Sequence, residues 1–192
     1  MKAWQHFKTV NRHRFLGMKL CFRLGLYWQG LTHDLSKYSP TEFRIGAKYY
    51  AGTRSPNAVE REECGYSTAW MHHKGRNRHH YEYWSDLDPV TRQYLPVPMP
   101  RRYLAEMFCD RIAACMVYHG RDYRDDDALK YFLKAGERPL MHPDTARKLR
   151  YLLQLLADEG EETAFAFVRD TVLTGKSFAE EDNPCNPGAG MV

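Results

Sequence analysis

A chain of 192 residues and 22.6 kDa is long enough for one domain with its own core. With 43% of residues apolar or aromatic, 27% charged and a formal net charge of +4, it is neither disordered nor a strongly basic nucleic-acid binder. No run reaches the roughly 18 apolar residues a membrane helix needs. Lys19 and Arg23 interrupt the most apolar N-terminal stretch, so neither a membrane partner nor a signal peptide is expected.

The first element is a helix from Ala3 to Leu26, with Trp4, Phe7, Val10, Phe15, Met18, Phe22 and Leu26 at three and four spacing. Gly25 and Gly30 predict a break, and 32–36 a short helical turn. Ser39 caps a helix that Pro40 opens and that runs to about Tyr50. Residues 51–65 carry Gly, Pro, Asn and charges and read as a loop. Ser67 or Thr68 caps a helix through Trp70 and His73, ending near Gly75. Residues 85–100, with four prolines, read as a second loop.

Pro100 opens a helix from Arg101 to about Tyr118. Further helices are expected from 125–127 through Leu133, from Pro143 or Asp144 to Ala157, and over 161–173. The tail from Lys176 lacks a packing face and is expected to be disordered. No strand alternation or repeat is found. The expected fold is all-α: one helical domain over 1–175 with two extended loops. The stretch 149–156 (LRYLLQLL) reads as core, with a homodimer seam as its other use.

Cys21, Cys64, Cys109, Cys115 and Cys185 form no C-x-x-C pair, so neither a zinc knuckle nor a disulfide framework is indicated. Reduced thiols in a cytoplasmic protein are the simple reading. The nine histidines are more informative, because four of them lie between positions 72 and 80.

His33 and Asp34 are adjacent in LTHDLSKYSP. Together they offer an imidazole nitrogen and a carboxylate whose two oxygens can bridge two divalent ions. His13 shares its helix side with Val10, Leu16, Gly17 and Leu20, and His6 lies seven residues earlier as a competitor. In WMHHKGRNRHHYEYW, His72, His73, His79 and His80 surround the basic turn of Lys74, Arg76 and Arg78. Neutral, metal-bound imidazoles would sit more comfortably there than protonated ones. Asp110 lies on an apolar helix face with Glu106 one turn before it. Two carboxylates so placed need a cation, with Arg102 and Arg111 as the ordinary alternative for Asp110.

The order His13, His33-Asp34, His73 with His79 and His80, then Asp110 resembles the HD-domain metal-dependent phosphohydrolase superfamily. Its ligands run H, HD, H and D on an all-α scaffold. HDLSKYSP is similar to the HDxxKxxxP element of the HD-GYP branch, with Lys37 and Pro40 in register, over a likeness spanning roughly 6–118. The GYP tripeptide is absent, so no cyclic-dinucleotide specificity is carried over. The whole chain also resembles a family of small bacterial proteins sharing HDLSKYSP, an N-x-HH segment and an E-M-x-x-D helix, a similarity that supplies no activity.

The HD resemblance implies one or two divalent transition-metal ions (Mn, Fe, Zn, Ni or Co) acting on a small phosphorylated substrate, a nucleotide among them. In its two-metal form Asp34 bridges. His13, His33 and Asp110 hold one ion, and His73 with His79 or His80 holds the other. The metal would activate water and polarise a phosphoryl oxygen. Lys37, Lys74, Arg76, Asn77 and Arg78 would bind the phosphate, and Glu82 or Glu106 would orient a ligand or move a proton. Two rivals stand beside this reading. One is an HD-type di-iron oxygenase acting on a small organic substrate. The other is a non-enzymatic metal- or anion-binding module. Arg101, Arg102, Arg111, Arg121 and Arg124 read as solvated faces, so nucleic acid is not an expected partner.

Overall fold

The first 39 residues contain no proline, and most of them form helix α1 (Lys2–Arg23) and helix α2 (Tyr27–Thr32). The chain turns between them at Gly25, whose φ of +73° suits a residue without a β-carbon. Both belong to a computed structural model that describes residues 1–134, 136 and 140–176. A short 3₁₀ turn, Leu35–Tyr38, leads to α3 (Pro40–Lys48). As expected, Pro40 opens α3 and the Ser39 hydroxyl accepts the Glu42 N–H.

The expected loop at 51–65 is instead largely a helix, α4 (Pro56–Cys64). Pro56 starts it, and Gly65 ends it at a φ of +80°. The charges at 60–63 suggested solvent, but Glu60 is buried. Its carboxylate accepts from Ser67 Oγ, Thr68 Oγ1 and the Thr68 N–H, and so caps the next helix, α5 (Thr68–Lys74).

The second expected loop also contains regular structure. Ser85–Leu87 (β1) and Tyr94–Pro96 (β2) form a small antiparallel hairpin with Asp86 opposite Leu95. Its turn is held by Asp88, which accepts from the Val90 and Thr91 N–H groups. Both strands are largely exposed, so no apolar alternation marked them.

Helix α6 (Arg101–His119) forms the centre of the fold. Its residues Leu104, Met107, Phe108 and Ile112 are buried in one core with Leu20 and Cys21 of α1 and Leu24 just after it. Helix α7 (Asp127–Lys134) and helix α8 (Pro143–Phe167) cover another side of α6. The two C-terminal helices expected from the sequence are one helix broken at Gly160, where φ is +80°, followed by a π turn at Val168–Val172. Leu149, Leu152, Leu153 and Leu156 are fully buried in the core, the first of the two uses read from the sequence. The architecture is mostly α. Among the described residues no helix is long and apolar enough to cross a membrane. Of the tail expected to be disordered, 177–192 lies outside the described residues. The Lys176 carbonyl accepts from Arg101.

Candidate metal centre

Five elements deliver side chains to one buried point. α1 carries His13. The turn after α2 carries His33 and Asp34, α5 carries His73, the segment after α5 carries His79 and His80, and α6 carries Asp110. The backbone at Asp34 is left-handed (φ 57°), a conformation that aspartate tolerates better than bulkier residues. Arg14 braces this turn. Its Nε donates to the His33 carbonyl at 2.8 Å and its Nη2 to the Leu31 carbonyl at 3.1 Å.

Asp34 is fully buried, and its two oxygens face different histidines. Oδ2 lies 2.9 Å from His13 Nε2 and 3.7 Å from His33 Nε2. Oδ1 lies 3.2 Å from His73 Nε2 and 3.4 Å from His79 Nε2. Asp110 Oδ1 closes the first group, 3.0 Å from His13 Nε2 and 3.4 Å from His33 Nε2. His80 joins the second group. Arg102 and Arg111 do not pair with Asp110. Arg111 instead lies over the Phe132 ring.

The outer nitrogens of three of these rings meet carboxylates. Glu106 Oε1 lies 3.1 Å from His33 Nδ1 and 2.9 Å from His79 Nδ1. Glu42 Oε2 lies 2.7 Å from His73 Nδ1, while its Oε1 lies 2.6 Å from His72 Nδ1. A carboxylate beside Nδ1 places the proton there, which leaves the Nε2 lone pair directed at Asp34. With the rings neutral, acceptors then face acceptors at the centre of the cluster. Nε2 of His13, His33, His79 and His80 and both oxygens of Asp34 are buried without a hydrogen-bond partner. Such a group is costly unless a cation sits within it. The residues therefore fit a metal: His13, His33, Asp34 and Asp110 form one candidate ligand set, and Asp34, His73, His79 and His80 form another. In each set the ligand atoms lie within 4.8 Å of one another.

Protonation in the metal-free protein follows the same geometry. Burial pulls the His33 imidazole down, but Asp34, Asp110 and Glu106 overcome it and raise its pKa well above the ordinary value. His79 is raised to about 9 against burial and the His33 charge, through its close contacts with the Asp34 and Glu106 carboxylates and the charge of Asp110. His80 is held well below its ordinary value by burial and by the His79 and His73 charges. Burial pushes the Asp34 and Asp110 carboxyls up. Lys37 and His33 outweigh this at Asp34, and the close imidazoles of His13 and His33 do so at Asp110. Both end well below the usual range.

Lys37, named from the HDxxK element, has its Nζ 2.5 Å from Asp34 Oδ2, on the side where Asp110 retains some exposure. The other proposed phosphate contacts are placed differently. Asn77 is buried, and its amide donates to Ser36 Oγ and the His73 carbonyl, so it braces the His73 turn. Arg78 donates to Tyr103 Oη and stands over the Tyr83 and Tyr103 rings, and Arg76 reaches back to the His72 carbonyl. Among the described residues, no ion pair or hydrogen bond links the side chains of Lys74, Arg76 or Arg78 to the imidazole and carboxylate groups of the cluster. Glu82 is likewise not joined to it, and its Oε2 is buried without a partner. His6, the competitor on α1, lies instead against Phe43, Tyr50 and Gly46. Burial, then Lys37, lowers its pKa to about 4.

Sequence reasoning missed Glu42 and Arg14. Glu42 stands three residues after Ser39, the position of a capping glutamate, and that local use hides its reach to α5. Arg14 is one of several basic residues along α1 and had no distinguishing mark.

Residues 2–155 match a family of unknown function, DUF5662. The chain belongs to that family. No curated protein and no solved structure matches it.

Proposed function

We propose that this DUF5662 member is a metal-dependent phosphohydrolase of the HD type, cleaving a phosphomonoester or phosphodiester, with nucleotides among its substrates. One observation carries the reading. Nitrogens from His13, His33, His73 and His79 converge on the two oxygens of a single buried carboxylate, Asp34. Their sequence order is the ligand order of the HD superfamily. Mn, Fe, Zn, Ni and Co all accept such mixed imidazole and carboxylate sets. When bound, the ions would activate water and polarise a phosphoryl oxygen.

The chain's own residues divide the remaining work. Asp34 offers one oxygen to each candidate ligand set, which fixes the spacing between them. Glu106 and Glu42 hold the Nδ1 protons of His33, His79 and His73, and so keep each Nε2 free to bind. Lys37 stands beside the more exposed Asp110 and neutralises charge growing on the phosphoryl oxygens. Helix α6 and the buried α1 face exclude bulk water from behind the centre.

The test is protein purified with each candidate metal, assayed for phosphate release across nucleotides and simple phosphoesters beside Asp34→Asn. Metal-dependent turnover that vanishes in the variant is the expected result. No turnover with any metal at full loading overturns the proposal.

A second reading rests on the nitrogen-rich half of the centre. The set Asp34, His73, His79 and His80 is three imidazoles and one carboxylate, which suits iron. An HD-type di-iron oxygenase would show stoichiometric iron and a visible absorption band after aerobic purification, with oxygen uptake in place of phosphate release.

A further inference from the structure

The outer face of α1 and the adjoining α2 contribute nothing to the core or to the metal centre, yet they are rich in aromatic side chains. Trp4 and Phe15 are 61% and 57% exposed, and Tyr27, Trp28 and Leu31 are 61%, 73% and 51% exposed. At 100° per residue, Trp4, Phe15 and Phe22 fall within about 20° of one line on α1. That line lies opposite the buried residues His13, Gly17 and Leu20. Phe22 continues it onto α2 by ring contact with Tyr27 at 5.3 Å. Arg14, next to Phe15, binds the Leu31 carbonyl and so holds the end of α2 against the middle of α1.

Charge on this surface has one sign. Residues 1–33 contain Lys2, Lys8, Arg12, Arg14, Lys19 and Arg23 and no Asp or Glu. The first three carboxylates after them, Asp34, Glu42 and Glu60, are all buried. Lys8 lies over the Trp4 ring at 5.3 Å and Lys19 over the Phe15 ring at 5.8 Å, which repeats one cation-on-ring unit along the helix. The acids that meet α1 from outside, Glu161 and Glu162, pair with Arg23 at its far end.

We infer that the outer face of α1 and α2 is a docking surface for an anionic lipid bilayer. Trp4 to Phe22 is a convex ridge about 27 Å long on a helical rise of 1.5 Å per residue. A fluid interface accepts a ridge without needing a complementary groove. Amphipathic rings flanked by lysines match the depth at which headgroups meet acyl chains. A second copy of the chain fits less well, because two-fold pairing would set this all-basic face, Lys8 and Lys19 included, against itself. The expectation of no membrane partner rested on the absence of a spanning run, and peripheral contact requires none. The inference is independent of the reaction proposed above.

The test uses the full chain with phosphatidylcholine vesicles, with and without phosphatidylglycerol, read by co-sedimentation and tryptophan fluorescence. Expected are binding only to the anionic vesicles, a blue shift from Trp4 and Trp28, and loss of binding with added salt. Lys8→Glu with Lys19→Glu should weaken binding by at least about fivefold per site. Trp28→Ala should weaken it roughly tenfold. Metal content and helical circular dichroism serve as controls for folding. Equal binding to both vesicles, no binding, or variants that bind like the wild type overturns the inference. So does a dimer that Trp28→Ala dissociates, or binding of an acidic protein or oligonucleotide through this face without vesicle binding.

Discussion

Gly17 lies against the His33 ring: a β-carbon at Gly17 would stand 2.8 Å from His33 Cδ2 and 3.0 Å from Nε2. The glycine follows His13 by one helical turn, so its missing side chain makes the space in which the His33 ring sits beside that of His13. Gly17→Ala should push His33 away from Asp110 and lower the metal held by His13, His33 and Asp110. The overpacking should cost about 1–3 kcal/mol of stability. Gly30→Ala is the control, because its β-carbon would meet Phe22 at 3.0 Å and Cys21 at 3.1 Å, outside the centre. Elemental analysis should show lost metal in the first variant and full metal in the second, with comparable falls in Tm.

Asp34 belongs to both candidate ligand sets, so on a two-ion centre Asp34→Asn should remove both ions at once. His13→Ala or Asp110→Asn should cost one ion and His73→Ala the other. Metal-to-protein ratios measured after gel filtration decide this. Full loading of Asp34→Asn would reject a bridging role.

The carboxylates behind the histidines should matter almost as much as the ligands. Glu106 serves rings from both ligand sets, whereas Glu42 serves only His73 among the ligands. Glu106→Gln should therefore weaken both ions, and Glu42→Gln only the one at His73, each by about 10–100-fold. Competition with a chelator of known affinity resolves the two steps. Equal effects of both variants on both ions would refute this division.

The metal-free protein should lose stability toward alkaline pH. The His79 pKa is raised to about 9 in the fold from 6.5, and that of His33 is raised well above 6.5. Their stabilising contribution is complete below about 6.5 and is lost as pH climbs through about 9. The carboxyls of Asp34, Asp110 and Glu106 are lowered, so theirs is present above the ordinary carboxylate range and lost in acid. Urea unfolding of chelator-treated protein should show a mildly acidic maximum. Bound metal should reverse the alkaline slope, because protons compete with it for the same Nε2 atoms.

If the proposed hydrolysis is the reaction, Lys37→Ala should retain the metal and lower phosphate release by about a hundredfold or more, since Lys37 lies beside Asp34 and would neutralise phosphoryl charge. Lys37→Arg should recover part of the loss. Unchanged kcat/KM in the alanine variant would remove Lys37 from the reaction.

The sequence exposed the candidate ligands more clearly than what supports them. His33-Asp34 and His79-His80 are marked by composition, and Asp110 by its misfit on an apolar helix face. Glu42 was hidden because a capping position explained it locally. Glu82 and Arg78 are near the histidines in the chain, but Arg78 bonds Tyr103 and Glu82 is not bonded to the cluster. Helix α4 went unseen because Glu60 reads as solvated until its bonds to Ser67 and Thr68 are known.

By itself the sequence determined the helical class, most helix boundaries and the shortlist of ligands. Periodicity, caps and side-chain chemistry act within a few residues. Only the tertiary structure decided which nitrogen of each ring faces Asp34, that Glu106 joins the two ligand sets, and that an all-basic aromatic face remains uncovered. Those depend on contacts between helices, such as His33 with Glu106, 73 positions apart. No local pattern encodes such a contact, because it exists only once the core has brought α1, α2 and α6 together.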